Sequence, residues 1–138
     1  MEAKNFIHYS WSEFEADCTI IFEKLDALMK EKPLCVFAFP RGGLVLGVVL
    51  SHYYDIPLYI DFDEAVRHVD TQNNKQILVV DDISDTGKTF MSLNDYTSYT
   101  TISIFLKEGT KFVPNLFIRD CLHSDWVVFP WEVQNANP

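Results

Sequence analysis

Two carboxylates stand side by side at Asp81 and Asp82, and after two spacers, Ile83 and Ser84, comes the turn-forming stretch Asp85-Thr86-Gly87-Lys88-Thr89. The apolar run Ile77 to Val80 leads into them and reads as a strand buried on both faces. A turn that aims backbone N–H groups and hydroxyls at one point, backed by a helix N-terminus, is an anion site. The neighbouring carboxylates would repel a bare phosphate. They suit the hydroxyls of a sugar, or a divalent cation that arrives with the phosphate. An acid pair and a phosphate cradle within nine residues therefore point to a phosphorylated sugar held with a metal.

Other chemistries fit less well. Gly87-Lys88-Thr89 ends like a nucleotide-binding P-loop, but the place of the motif's first glycine holds Asp82. An acid pair after a buried strand also marks phospho-acceptor receiver domains. Those need several more strand–helix units after it, and only about fifty residues remain. A purely structural role as a helix cap needs one acid, whereas this stretch has Asp81, Asp82 and Asp85.

A second candidate anion loop lies upstream. The apolar run Leu34 to Phe39 ends in Pro40-Arg41-Gly42-Gly43 and passes into Leu44 to Leu50, a helix that continues to about Tyr54. Adjacent glycines let a ligand approach the backbone closely, and Arg41 is a fixed cation suited to phosphate oxygens. Taken alone, the segment reads equally well as a tight turn with a surface arginine. Likewise Lys107 alone is a solvent-facing strand cap, and His123 to Trp131 an aromatic closing strand.

The elements that must position these residues follow from periodicity. Ser10 with Glu13, or Ser12 with Glu15, forms a capping box, and Tyr9 can staple onto Phe14. Phe14, Cys18, Ile21, Phe22, Leu25, Leu28 and Met29 then share one helical face, and the helix stops near Pro33. Asp55 to Ile60 reads as a short strand, and 61–76 as a polar, irregular loop carrying Arg67, His68 and Lys75. Thr89 to about Tyr96 reads as a helix; Thr100 to Leu106, Val113 to Ile118 and Trp126 to Phe129 read as strands. Alternating strands and helices predict one α/β domain over 1–138, a central, mostly parallel sheet flanked by helices. Ligands of such sheets lie beyond the carboxyl ends of the strands. The Arg41 loop, the Asp81–Thr89 loop and Lys107 all fall at that edge and can line one cleft.

Composition narrows the partners. With 20 acidic residues against 11 Lys and Arg, the net charge is −9 over 138 residues. That balance argues against nucleic acid and against anionic membrane surfaces as partners. Hydrophobic content of 48% and aromatic content of 14% exclude disorder. Cys18, Cys35 and Cys121 show no paired spacing, Met1 to Asn5 does not read as a signal peptide, and Leu44 to Leu50 is too short to cross a bilayer. The expectation is a cytoplasmic protein with reduced thiols.

The run from Ile77 to Thr89 resembles the signature of the type I phosphoribosyltransferases: a strand, two acids, two spacers, then Asp-Thr-Gly-x-Thr. The resemblance implies that family's fold, with a small reduced hood in 61–76, where no Ser-Tyr pair is found. It implies phosphoribosyl pyrophosphate bound by Asp81 to Thr89, with Asp81 and Asp82 meeting the ribose hydroxyls and Mg2+. Thr86, Gly87, Lys88 and Thr89 would take the 5′-phosphate, and Arg41, Gly42 and Gly43 the pyrophosphate. Arg41-Gly42-Gly43-Leu44 has the form of the short 6-oxopurine branch. Lys107, Trp126 and Val127 resemble the base pocket of its xanthine–guanine members, where a lysine meets O6, an aromatic stacks on the purine and the next backbone unit reads the base edge. Pro130-Trp131 matches the pair just beyond. Asp85 then faces the purine's imidazole edge and can accept its proton. The implied activity is transfer of the phosphoribosyl group to a 6-oxopurine by a homo-oligomer, a dimer or tetramer. A nucleotide-sensing protein of the same fold without transfer activity is the alternative.

Overall fold

A computed structural model describes residues 4–69, 77–93 and 99–133. Its elements in chain order are β1 (Asn5–His8), α1 (Trp11–Leu28), β2 (Cys35–Ala38), α2 (Leu44–Tyr54), β3 (Leu58–Tyr59), α3 (Phe62–His68), β4 (Ile77–Val80), β5 (Ile83–Ser84), α4 (Lys88–Met91), β6 (Thr100–Ile102), β7 (Phe105–Lys107), β8 (Arg119–Cys121) and β9 (Asp125–Val128). Every strand pairing among them is parallel, as the continuous apolar runs predict.

The central sheet has the order β3-β2-β4-β6, and a three-stranded sheet β5-β7-β8 stands beyond its carboxyl edge. The two are one ladder interrupted. Val80 pairs with Ile102 and Ile83 with Phe105, so the partner lies 22 positions on in both sheets. The interruption falls at Asp81 and Asp82, where the ladder's polar groups find other partners. The Asp82 carbonyl accepts from both Ile104 N–H (3.0 Å) and Phe105 N–H (3.1 Å). The chain thus opens a gap at the acid pair without losing register. The strand predicted over Thr100 to Leu106 is accordingly two strands, β6 and β7, broken at Ser103 and Ile104.

Strand period sorts the core into two layers. Val36, Leu78 and Val80 face α1 and α2, packing with Ile21, Leu25, Leu46 and Leu50. Cys35, Phe37, Ile77 and Val79 face the other way, toward Ala65, Val69 and Phe90. Each fully buried aliphatic side chain here is worth roughly 1.5–3 kcal/mol relative to exposure.

The α1 helix starts where the capping box places it: Ser10 Oγ accepts from Glu13 N–H at 3.0 Å, and the Glu13 carboxylate accepts from Ser10 N–H at 3.2 Å. Leu28, predicted on the buried face, is half exposed at the last residue of the helix. The predicted loop over 61–76 contains a helix, α3, capped by Asp61, whose side chain accepts from Asp63 and Glu64 N–H. Lys75 lies outside the described residues. So does the latter part of the helix predicted to Tyr96, of which Lys88–Met91 is helical. Val113 to Ile118 supplies only a bridge at Leu116, and the strand is Arg119–Cys121. Asn115 explains the shift: its side-chain oxygen accepts from Thr101 N–H at 2.8 Å, a place a strand's backbone carbonyl would take. No helix among the described residues is long and apolar enough to cross a membrane.

Candidate active site

The two glycines upstream are fixed by the acid pair. A Cβ on Gly42 would lie 2.6 Å from Asp82 Cγ, and one on Gly43 would lie 2.5 Å from the Val80 carbonyl. The Arg41–Gly43 loop therefore sits directly on the carboxyl end of β4, a closeness only glycine allows. Arg41 and Gly42 line a cavity of about 710 Å³ together with Asp82, Trp131 and Glu132. The Trp131 indole N–H is buried in that wall, without a hydrogen-bond partner among the described residues.

Asp81 is buried, and its Oδ1 accepts from Asp82 N–H at 2.9 Å. Burial pushes the Asp81 carboxyl well above the ordinary carboxylate range, and the neighbouring Asp82 charge pushes it further. Asp82 is also raised, chiefly by burial. No Lys or Arg among the described residues forms an ion pair with either acid. The pair is thus an uncompensated acidic locus, which a cation or a set of hydroxyl donors would relieve.

Downstream, Ile83 and Ser84 continue as β5 into a hollow of about 200 Å³ lined by the Asp85–Gly87 turn and Thr89. Gly87 has φ +91°, and a Cβ there would lie 2.7 Å from Phe112 N. Thr86 Oγ1 accepts from Lys88 N–H at 3.2 Å, and its carbonyl accepts from Lys111 N–H at 3.0 Å. Ser84 braces this turn from beneath, its hydroxyl donating to the Phe112 carbonyl at 2.7 Å. Lys88 and Thr89 are exposed at the head of α4.

The third group arrives on β7. Lys107 is buried along its stem, and its Nζ stands 3.6 Å from Asp85 Oδ1 and 5.7 Å from the Trp126 ring centroid. Trp126 is 42% exposed, leaving the ring open to a flat partner. Val127 turns its side chain into the core, so only its backbone can take part in recognition.

No protein-family model matches the chain. Solved structures do. A purine phosphoribosyltransferase from Pyrococcus horikoshii superposes with a TM-score of 0.75 at 25% identity, over 97% of this chain and 99% of that one. A xanthine-guanine-hypoxanthine phosphoribosyltransferase from Helicobacter pylori gives 0.75 and 25%, over 94% of each. The fold is that of the type I phosphoribosyltransferases. A hypothetical protein from Neisseria gonorrhoeae with bound ppGpp shares it at a TM-score of 0.69 and 16% identity, over 96% and 92% of the two chains.

On this phosphoribosyltransferase fold the two predicted loops and Lys107 meet at one short stretch, Asp82 to Asp85, with the Arg41 loop against one end and Lys107 against the other. Three features escaped the sequence reading. Glu132 lines the Arg41 cavity from the C-terminal side. The strand β1 pairs with β9 and carries Lys4 to 4.1 Å from the Trp126 ring centroid. Asp17, buried in the apolar face of α1, accepts from Tyr9 Oη and from Arg119 Nε at 2.7 Å. None has a local sequence signal, because each depends on partners distant along the chain.

Proposed function

We propose that this protein is a magnesium-dependent phosphoribosyltransferase acting on phosphoribosyl pyrophosphate and a 6-oxopurine, guanine, xanthine or hypoxanthine. It releases nucleoside monophosphate and pyrophosphate. The observation that carries the reading is the approach of Lys107 to Asp85 beside Trp126, within the segment whose Asp82 abuts Gly42. The group proposed to recognise the base and the loop proposed to hold the diphosphate thereby flank the Asp82–Asp85 stretch.

In the reaction a purine ring nitrogen bonds to C1 of the ribose as the C1–oxygen bond to pyrophosphate breaks, the electron pair leaving with that oxygen. The ribose passes through an oxocarbenium-like state, so holding the sugar and neutralising the leaving group dominate catalysis. Asp81 and Asp82 hold the ribose hydroxyls. Thr86, Gly87, Lys88 and Thr89 grip the 5′-phosphate, with Ile83 and Ser84 setting the turn's position. Arg41 and the amides of Gly42 and Gly43 face the charge developing on pyrophosphate. Lys107 donates to the purine O6, Trp126 stacks on the ring for about 1 kcal/mol beyond buried area, and the Val127 backbone meets the base edge. Asp85 accepts the proton that the purine gives up.

The acid pair suits Mg2+: two adjacent carboxyls with raised pKa values and no ion pair among the described residues. No cluster of three or more ligating side chains occurs among the described residues, so Asp81 and Asp82 would supply part of the shell and substrate oxygens the rest. Magnesium held by Asp81 and Asp82 would supply positive charge to the diphosphate. The acidic composition and buried thiols support a cytoplasmic enzyme with small-molecule partners rather than nucleic acid or membrane. Assembly as a dimer or tetramer is part of the proposal and follows from the family resemblance alone.

The test is to mix protein, Mg2+ and phosphoribosyl pyrophosphate with each of guanine, xanthine, hypoxanthine and adenine, and to measure pyrophosphate. Release with the oxopurines supports the proposal. Tight nucleotide binding without release under any base would replace it with a sensor of the same fold.

A further inference from the structure

We infer that Lys4 is a specificity-determining residue of the base site, favouring a 2,6-dioxopurine in its anionic form over neutral purines. The inference rests on the proposed function and deepens it. Two ammonium groups approach the ring on which the purine is proposed to stack: Lys107 Nζ at 5.7 Å from the Trp126 centroid and Lys4 Nζ at 4.1 Å. They differ in what neutralises them. Lys107 faces Asp85 at 3.6 Å, whereas no carboxylate among the described residues forms an ion pair with Lys4.

The placement of Lys4 is built by the fold. In the β1–β9 ladder Phe6 is the register partner of Trp126, and Lys4, two residues earlier, projects from the same face as Phe6. Asn5, on the opposite face, locks the register: its Nδ2 donates to Asp125 Oδ1 at 3.0 Å, and Asp125 Oδ2 accepts from Leu122 N–H at 2.7 Å. Asp125 is thereby engaged with Asn5 and the backbone, not with Lys4.

A cation on an indole ring polarises its π-density and so favours an electron-rich partner. A 2,6-dioxopurine ionises near neutral pH and would bring the charge that Lys4 lacks. A guanine or hypoxanthine ring, neutral there, would not. In a chain of net charge −9, a cation at this ring with no ion pair among the described residues is a local exception to the overall repulsion of anions.

The experiment titrates the full-length protein with xanthosine, guanosine and inosine monophosphates at neutral pH by calorimetry. These share the phosphate and ribose, so ratios isolate the base. Lys4→Met is expected to weaken xanthosine monophosphate roughly fivefold relative to the other two, and Lys4→Arg to keep the wild-type ratio. Equal weakening of all three nucleotides, or an unchanged ratio, overturns the inference while leaving the proposed function intact. Failure of the wild-type protein to bind any of the three would overturn both.

Discussion

Asp85 stands at the junction of the proposed sugar and base halves of the site. Its side chain is 47% exposed and faces the buried Lys107, so it can reach a bound base without leaving a buried charge unpaired in its absence. Replacing the carboxylate with an amide keeps the shape of the turn and removes the proposed proton acceptor. Asp85→Asn is expected to lower kcat roughly a hundredfold or more while leaving the affinity for phosphoribosyl pyrophosphate largely unchanged. Single-turnover kinetics together with calorimetric titration of phosphoribosyl pyrophosphate separate the two. Full turnover in the variant would remove the proton-accepting role, and loss of phosphoribosyl pyrophosphate binding would reassign Asp85 to the sugar. The residue types of Asp85 and Lys107 are legible in the sequence. Their approach is not, since it depends on the 22-position register of β5 with β7.

The α2 helix carries the Arg41 loop at its N-terminus, and its distance from the sheet is set at Gly47. A Cβ there would lie 2.7 Å from Ala38 Cβ and 3.2 Å from Leu58 Cδ1. Alanine in a helix interior ordinarily gains about 1 kcal/mol over glycine. Here that gain is outweighed by overpacking, which costs about 1–3 kcal/mol. Gly47→Ala should therefore lower the unfolding free energy, and Ala38→Gly in the same chain should recover most of the loss, a coupling that denaturant titration of the single and double variants measures. Additive losses would show that the contact is not the cause. At this scale the sequence reveals the elements whose burial leaves a simple imprint. β2 and β4 are buried at every position, so they read as continuous apolar runs. The short strand read over Asp55 to Ile60 is present as the two-residue β3, whereas β1, mostly exposed, and the two-residue β5 leave no such imprint. In α3 the Asp61 cap, Asp63 and Glu64 at the start and Arg67 and His68 at the end all suit the helix dipole. With only Ala65 fully buried, that signal is hidden under the segment's polarity.

Across the whole molecule, the acidic balance and the buried acid pair act in one direction. Burial and the neighbouring Asp82 charge raise Asp81 to about 8, and burial raises Asp82 as well, against an ordinary value of about 4 in the unfolded chain. The two carboxyls titrate as a unit. Because the folded protein keeps protons that the unfolded chain has released, the pair's contribution to stability is complete below the ordinary carboxylate range. It is lost as pH rises through the folded value. The ligand-free protein is therefore expected to be less stable at pH 8 than near pH 5, a trend to which the net charge of −9 adds. Asp82→Asn separates the local part from the global one. It removes one charge in nine, yet should raise the ligand-free melting temperature at neutral pH by roughly 5 °C or more and flatten the pH profile. An exposed control, Asp120→Asn, removes the same charge and should leave the profile nearly as it was. Thermal unfolding of the three proteins across pH measures this, and equal effects of the two substitutions would assign the trend to net charge alone. The same Asp82→Asn protein should gain less thermal protection than wild type from Mg2+ with phosphoribosyl pyrophosphate, because the site is least stable empty where it is best prepared to bind.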